Sequence, residues 1–318
     1  MAKRLYATAT NIHNLLHCSI VDSHGSPTST ATIAAETCSA GVGDPIEIDL
    51  GYYDDHQKLF TGYIKSIELK APERYYTITA SNALIRAVDY FIASTNPDAP
   101  ATWSHIPAED LVEALMNMAG LSNYSGGNSS FTFGINVPIK VNLVSSYDFS
   151  KFIADLLAWH LWCDKTGKVN FKNRKPYYTG GGNVASFNTS NLVSATYSES
   201  DRDIRNRVVV YGSEGIFAEA SEASPYLPGG FYKTAVVSAP GVINTQAMAQ
   251  DAAEYNLDLY NRLTRRCLIS ALGDPSVNAR NNVGITVSSI GASGSWYAYG
   301  VEHVWSKEGY VTNIDARK

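Results

Sequence analysis

Hydrophobic and polar positions alternate with the two-residue period of β-strands near both ends of the chain. Ile46, Ile48 and Leu50 are separated by Glu47 and Asp49, directly after the turn-forming Gly43-Asp44-Pro45. Leu59 to Leu69 gives a longer strand pattern anchored by Phe60, Ile64, Ile67 and Leu69. Tyr76, Ile78 and Ala80 then alternate with Thr77 and Thr79, and Ala71-Pro72-Glu73-Arg74 reads as the hairpin loop between the two strands. Ser81 is placed to cap a short helix with Leu84, Ile85, Val88 and Ile92 on one face.

The period then changes. Asn96-Pro97-Asp98-Ala99-Pro100 reads as a linker. Pro107 opens a helix with Leu111, Val112, Leu115 and Ala119 as its buried stripe and Gly120 at its end. The stretch 122–130 (SNYSGGNSS) reads as a flexible loop. A second helix is expected from about Asp148 to Leu161, where Phe149, Phe152, Ile153, Leu156, Leu157 and His160 keep helical spacing. A turn at Asp164 to Gly167 leads into a strand from Lys168 to Lys172. These elements make a compact α/β insert, and Gly180-Gly181-Gly182 marks its end. Strand patterns return at Leu192 to Tyr197, Arg207 to Tyr211, Thr234 to Val237, Val283 to Ile290, Trp296 to Trp305 and Gly309 to Ala316. An alanine-rich helix is expected between them, from about Thr245 to Leu263.

The two strand-rich ends echo each other. At an offset of 237, Ile46, Ile48 and Leu50 fall on Val283, Ile285 and Val287, and Ile64 and Ile67 fall on Val301 and Val304. Ile78 falls one residue past Ile314. This reads as one β module present twice. Three such chains in a ring present six similar units, so one face of the ring can meet a six-fold partner and the other a three-fold partner.

Composition narrows the class. The chain has 318 residues, enough for two or three domains of roughly 150 residues. At 45% hydrophobic and 17% charged it buries a substantial core. No apolar run reaches the roughly 18 residues of a membrane helix, and MAKRLYATATNIHNLL lacks the continuous apolar stretch of a signal peptide. The expectation is a protein made and kept in a cytoplasm. Net charge is −5 without a strongly basic patch, which argues against a nucleic-acid reader. Residues 1–105 carry 7 Lys/Arg against 11 Asp/Glu, whereas 262–318 carry 7 against 4. An acidic start and a basic end are suited to head-to-tail contact. Cys18, Cys38, Cys163 and Cys267 form no C-x-x-C pair and read as small, reduced, packed thiols.

The order and spacing of these segments resemble a known family. The runs GDPIEIDLG (43–51), LFTGYIKSIEL (59–69) and YYTITASNALIRAVDYFI (75–92) look like the first barrel of tailed-phage baseplate hub proteins. YDFSKFIADLLAWHLWCDKTGKVNFKN (147–173) is similar to the small domain between their barrels. DRDIRNRVVVYG (201–212) and YAYGVEHVWSKEGYVTNIDAR (297–317) look like the second. The family includes late control D proteins and the N-terminal hub part of type VI secretion spikes. The resemblance implies a mainly β fold with an α+β insert: tube-protein-like barrels at 1–95 and 181–318, and a small α/β domain at 96–180. It implies a homotrimer in the virion's tail baseplate, assembled in the host cytoplasm, joining a six-fold tail tube or distal tail protein to a three-fold spike or tail-tip protein. Baseplate wedge and tape-measure proteins are the further partners, and DNA passes through the bore without specific binding. The chain ends at Lys318 soon after the second barrel, so no fused spike or lysozyme-like domain is expected.

No cofactor, catalytic group or metal site is expected. His13 and His17 have metalloprotease spacing, but Asn14 stands where the glutamate base belongs. Asp54-Asp55 reads as a solvated hairpin tip. Asp201 and Asp203 alternate with Arg202 and Arg205 and read as salt-bridged strand-edge residues. No P-loop, dinucleotide fingerprint or nucleophile elbow is present. Charge and helix ends nominate Asp201, Asp203, Arg205, Arg262, Arg265 and Arg266 as subunit contacts. The competing readings are a phage-associated glycan hydrolase using Asp201 or Asp203, and a receptor- or carbohydrate-binding tail module.

Overall fold

The computed structural model describes residues 4–94, 100–129, 131–135, 137–173, 182–224, 226–261 and 264–318. Most of the linker read at 96–100 lies outside them, as do Gly180, Gly181 and Arg262.

The first module has six strands: β1 (Leu5–Ala9), β2 (Ile12–Ser23), β3 (Thr30–Cys38), β4 (Pro45–Tyr52), β5 (Asp55–Lys70) and β6 (Tyr75–Asn82). Their order is β1-β4-β5-β6-β3-β2, and the pairing of Ala9 with Ile12 closes the circle into a barrel. Alternation puts Cys18, Ile33, Ile46, Ile48, Leu50, Phe60, Ile64 and Ile78 inside. β5 and β6 approach closely at Gly62, where a Cβ would lie 2.2 Å from the Ser81 carbonyl oxygen.

A middle layer follows, built from α1 (Ile85–Asp89), β7 (Phe91–Ile92), β8 (Ala101–Trp103), β9 (Ile106–Pro107), α2 (Ala108–Met118), β10 (Tyr124–Gly126), β11 (Thr132–Phe133), β12 (Ile139–Val141), β13 (Val144–Ser145), α3 (Ser146–Leu156), β14 (His160–Cys163) and β15 (Val169–Lys172). Pro107 occupies the position just before α2 without a capping side chain, and the Ser145 hydroxyl caps α3 by accepting from the Asp148 amide at 2.9 Å. Two expectations are corrected. α3 stops at Leu156 because Ala158 turns to φ +50, and His160 enters a strand opposite Lys172. The loop read at 122–130 holds β10, paired in parallel with β15. Gly127 lets this segment press on Trp159, since a Cβ there would come within 2.8 Å of the ring.

The rest of the chain forms β16 (Ala185–Asn188), β17 (Leu192–Glu199), β18 (Arg207–Tyr211), β19 (Phe217–Ser221), β20 (Thr234–Ser238), α4 (Gln246–Tyr260), β21 (Arg265–Leu272), β22 (Asn282–Val287), β23 (Ala292–Ser306) and β24 (Gly309–Arg317). The barrel-forming strands take the order β16-β22-β23-β24-β21-β17 around their own core. Replacing β1 to β6 by β16, β17, β21, β22, β23 and β24 in turn reproduces the first module's order. One departure is that β16 runs parallel to β22, whereas β1 runs antiparallel to β4. Two of the bulges also correspond. The β2 irregularity between Leu15 and His17 recurs in β17 between Leu192 and Ser194. The β5 irregularity between Ile64 and Ser66 recurs in β23 between Ala298 and Gly300.

The duplication seen in the sequence is therefore present, with one register corrected. Ile67 faces Ile78 as Val301 faces Ile314, so Val301 matches Ile67 and not Ile64. The cause is a second hairpin shorter by three residues: Ile46 pairs with Gly62, and Val283 with Trp296.

A second correction concerns residues 207–260, which the sequence places in the second barrel. β19-β18-β20 and α4 leave that barrel and join the hydrophobic core of the middle layer. Small buried residues on α4 (Ala249, Ala252, Ala253) let the helix sit close to the sheet. Asn256 then donates to the Leu156 carbonyl at the end of α3, at 3.1 Å. α4 ends at Tyr260, so Arg265 and Arg266 open β21 and are not the last turn of a helix.

Ile78 and Ile314 are equivalent and buried. Ile78→Ala and Ile314→Ala are each expected to lower stability by about 2–5 kcal/mol in urea unfolding, from lost burial plus the cavity left behind. A cost confined to one of the pair would contradict their equivalence.

Candidate assembly surface

The two modules are joined edge to edge. β2 pairs with the C-terminal half of β23 from His17–Ser306 to Ser23–Gly300, so one sheet continues through β6-β3-β2-β23-β24-β21-β17. Side chains reinforce the seam. The Ser19 hydroxyl donates to Glu302 Oε1 at 3.0 Å, and Asn313 Nδ2 donates to Glu302 Oε2 at 3.0 Å. Trp305 and Tyr310 from the second module pack into the core of the first.

Arg280 ties the seam to the middle layer. Its side chain is only 5% exposed, and Nη1 donates to both Asp22 carboxylate oxygens at 2.9 and 3.1 Å. Its guanidinium lies 5.5 Å from the centre of the Trp162 ring. On the other side Thr61 donates to the Lys165 carbonyl at 2.8 Å, and Lys165 Nζ donates to Gln57 at 2.8 Å. Burial pulls the Lys165 ammonium below its usual range. A cavity of about 310 Å³ remains where the three layers meet, lined among others by Asn82, Asn170, Arg280 and His303. His303 is held neutral there. Its Nε2 lies 2.9 Å from the Val277 carbonyl, and Nδ1 lies 2.7 Å from the Tyr310 hydroxyl. A proton on Nε2 satisfies both contacts, with Nδ1 accepting. Burial brings the imidazole pKa down to about 4.

The continuous sheet has an outward face of distinctive chemistry. Alternation and register place Thr77, Thr79 and Ser81 beside Thr30 and Thr32, then Ser19, Val21 and Ser23. The row continues through Gly300, Glu302 and Val304, Asn313, Asp315 and Arg317, Arg266, Leu268 and Ser270, to Ser194, Thr196 and Ser198. Hydroxyl and amide groups dominate it. The carboxylates on it have partners: Glu302 accepts from Ser19 and Asn313, and Asp315 from Arg266 and Arg317.

The structure gathers the described residues among those nominated by charge near one end of β17 and β21. Asp201 and Asp203 lie in a turn, not on a strand edge as the sequence suggested. Lys233 sits 2.6 Å from Asp201 and holds its carboxyl below the ordinary range. Arg265 pairs with Glu199 at 3.0 Å and Arg266 with Asp315 at 2.9 Å. Arg205 donates to the carbonyls of Arg202 and Ile204. Asp203 shares a small cavity with Arg266 and Arg317. Most of these charges are thus engaged within the chain. Asp22, Arg280 and Glu302, which hold the seam, escaped the sequence reading, because their role follows from strand pairing and not from any local motif.

Asp54 lies in the turn between β4 and β5, and His13 and His17 lie on β2. Among the described residues no group of three or more His, Cys, Asp or Glu is placed to hold a metal ion. None of the described helices is long and apolar enough to cross a membrane.

No family model and no curated protein sequence matches the chain. Its fold matches solved structures over nearly its whole length. A tail protein from Neisseria meningitidis MC58 superposes with a TM-score of 0.75 at 13% identity, covering 99% of this chain and 97% of that one. The 43 kDa tail protein of prophage MuSo2 from Shewanella oneidensis gives 0.72 at 12% identity, covering 99% and 98%. An E. coli component of the type VI secretion system, described as structurally similar to the T4 bacteriophage tail proteins gp27 and gp5, gives 0.59 at 8% identity, covering 98% and 76%. The fold is therefore that of phage tail proteins, shared with a component of type VI secretion.

Two measurements probe the seam. Arg280→Met is expected to cost about 3 kcal/mol in urea unfolding, because it strands the Asp22 carboxylate. The second is pH dependence. His303 has a folded pKa near 4, below the ordinary value of about 6.5, so between these the unfolded chain binds more protons. Its contribution to stability is complete above about pH 6.5 and is lost as pH falls toward 4, by about 3 kcal/mol in total. Urea midpoints compared across that range should fall less steeply for His303→Gln than for the parent.

Proposed function

We propose that this protein is a structural tail hub: a homotrimer whose six barrels meet a six-fold tube on one face and a three-fold spike or tail-tip protein on the other. The observation that carries the reading is the duplicated module joined edge to edge through β2 and β23. Two like units side by side in one chain become six like units in a three-chain ring, which reconciles the two symmetries. The match to tail proteins over nearly the full length of both chains supports it.

In this reading the hydroxyl-rich face of the continuous sheet lines the bore. Polyanion binding rests on Lys and Arg releasing counterions from phosphates; Ser, Thr and Asn dominate this face, and its Arg266 and Arg317 are already paired with Asp315, which leaves DNA little to hold. The role is mechanical, with no bond made or broken by the hub. Distal tail, baseplate wedge and tape-measure proteins are its neighbours in the virion, and assembly takes place in the host cytoplasm.

Light scattering of the purified chain, alone and with its cognate spike, is expected to report three copies per particle, and class averages a ring with pseudo-six-fold features. A monomer under both conditions would overturn the reading. In the assembled ring Thr32→Lys with Thr79→Lys is expected to create salt-sensitive DNA retention absent from the parent.

A further inference from the structure

The seam inside one chain specifies the seam between chains. In the second module, the half of β23 beyond its bulge pairs with β24 on one side and with β2 on the other. Among the described residues the equivalent half of β5, Ser66–Lys70, pairs with β6 on one side only. β2 likewise pairs with β3 on one side and β23 on the other, whereas its equivalent β17 pairs, among the described residues, with β21 alone. Each module thus has one edge used within the chain, and each leaves the counterpart edge open. Leu69 at one open edge is 62% exposed, and every second residue of β17 is exposed.

We propose that the open edge of β5 in one copy pairs antiparallel with the open edge of β17 in the next, with a register fixed by the internal seam. This rests on the ring reading above and deepens it. The matched bulges set the equivalences: Ser19 with Thr196, Val21 with Ser198, Gly300 with Ser66, and Glu302 with Glu68. Since Glu302 faces Val21 within the chain, Glu68 faces Ser198 of the next copy. Lys70 then faces Thr196, and Ser66 faces Ser200. The Ser19 hydroxyl donates to Glu302 at the internal seam; Thr196 is placed to donate to Glu68 across the external one. Glu68 is already salt-bridged to Lys70 at 3.2 Å, which lowers the cost of bringing this carboxylate to an interface. The pairing covers two edges whose unpaired N–H and C=O groups otherwise template random association. It also carries one sheet, face unbroken, around the whole ring.

Directly opposed strand residues have Cβ atoms about 4.5–5.5 Å apart, close enough for a disulfide after slight adjustment. Glu68→Cys with Ser198→Cys is therefore expected to give, under mild oxidation, a covalent species of three times the chain mass on non-reducing gels. Each single variant should give none. Lys70→Cys with Ser200→Cys, four rungs out of register, should also give none. Thermal melting of the reduced variants establishes that they fold. A three-copy particle by light scattering with no 68–198 bond, or with equal bonding out of register, overturns the pairing but leaves the ring. No association, with or without spike, overturns both.

Discussion

Every strand at the edge of a sheet exposes a row of backbone donors and acceptors, and this structure is organised around where those rows end. The first module closes its own circle through Ala9 and Ile12, yet β2 runs on beyond that closure, and β23 pairs with its last seven residues. The seam is backbone-directed, so its geometry is set by two strand directions and two bulges, not by particular side chains. Ser19, Glu302, Asp22 and Arg280 then lock a register that the backbone has already chosen. Because the same module supplies both partners, a rule that holds at one edge extends to the other.

The middle layer restrains the seam from the side. Arg280 belongs to the second module, Asp22 to the first and Trp162 to the layer between, and one guanidinium meets both. A planar donor fork suits that position: it holds a carboxylate in its plane and offers its face to an indole. The exposed ion pairs elsewhere, such as Lys58–Glu47 and Arg207–Glu219, contribute far less to stability because water competes for them.

Much of the barrel architecture was legible in the sequence, because half-buried strands announce themselves by alternation. Ile46, Ile48 and Leu50 and their equivalents Val283, Ile285 and Val287 were matched correctly. The match of Ile64 to Val301 was wrong because the bulge after Ile64 puts residues three apart on one face, and pattern alone does not fix hairpin length. The middle layer was harder. His160 kept helical spacing but was turned into a strand by Ala158, whose positive φ no residue type there foretells. The sheet β19-β18-β20 reads like any barrel strand set, and only three-dimensional packing assigns it to α4 and α3. The assembly surface was least legible. The charge pattern led to Asp201, Arg265 and Arg266, whose partners lie largely within the chain, whereas an open strand edge is a property of pairing and has no composition of its own.

The excursion of residues 207–260 out of the second barrel has a consequence for synthesis. β17 leaves the ribosome before β18 to α4, but its partner β21 emerges only after them. The middle layer in turn lacks α4 until that segment is made, although α2 and α3 come much earlier. Neither unit reaches its native packing from an N-terminal fragment, so completion of both waits on the same late stretch of chain. Contacts of such long sequence separation slow folding and leave apolar surface uncovered meanwhile. A nascent chain of this design keeps apolar surface uncovered until its last strands are released, and the second barrel and middle layer are completed together.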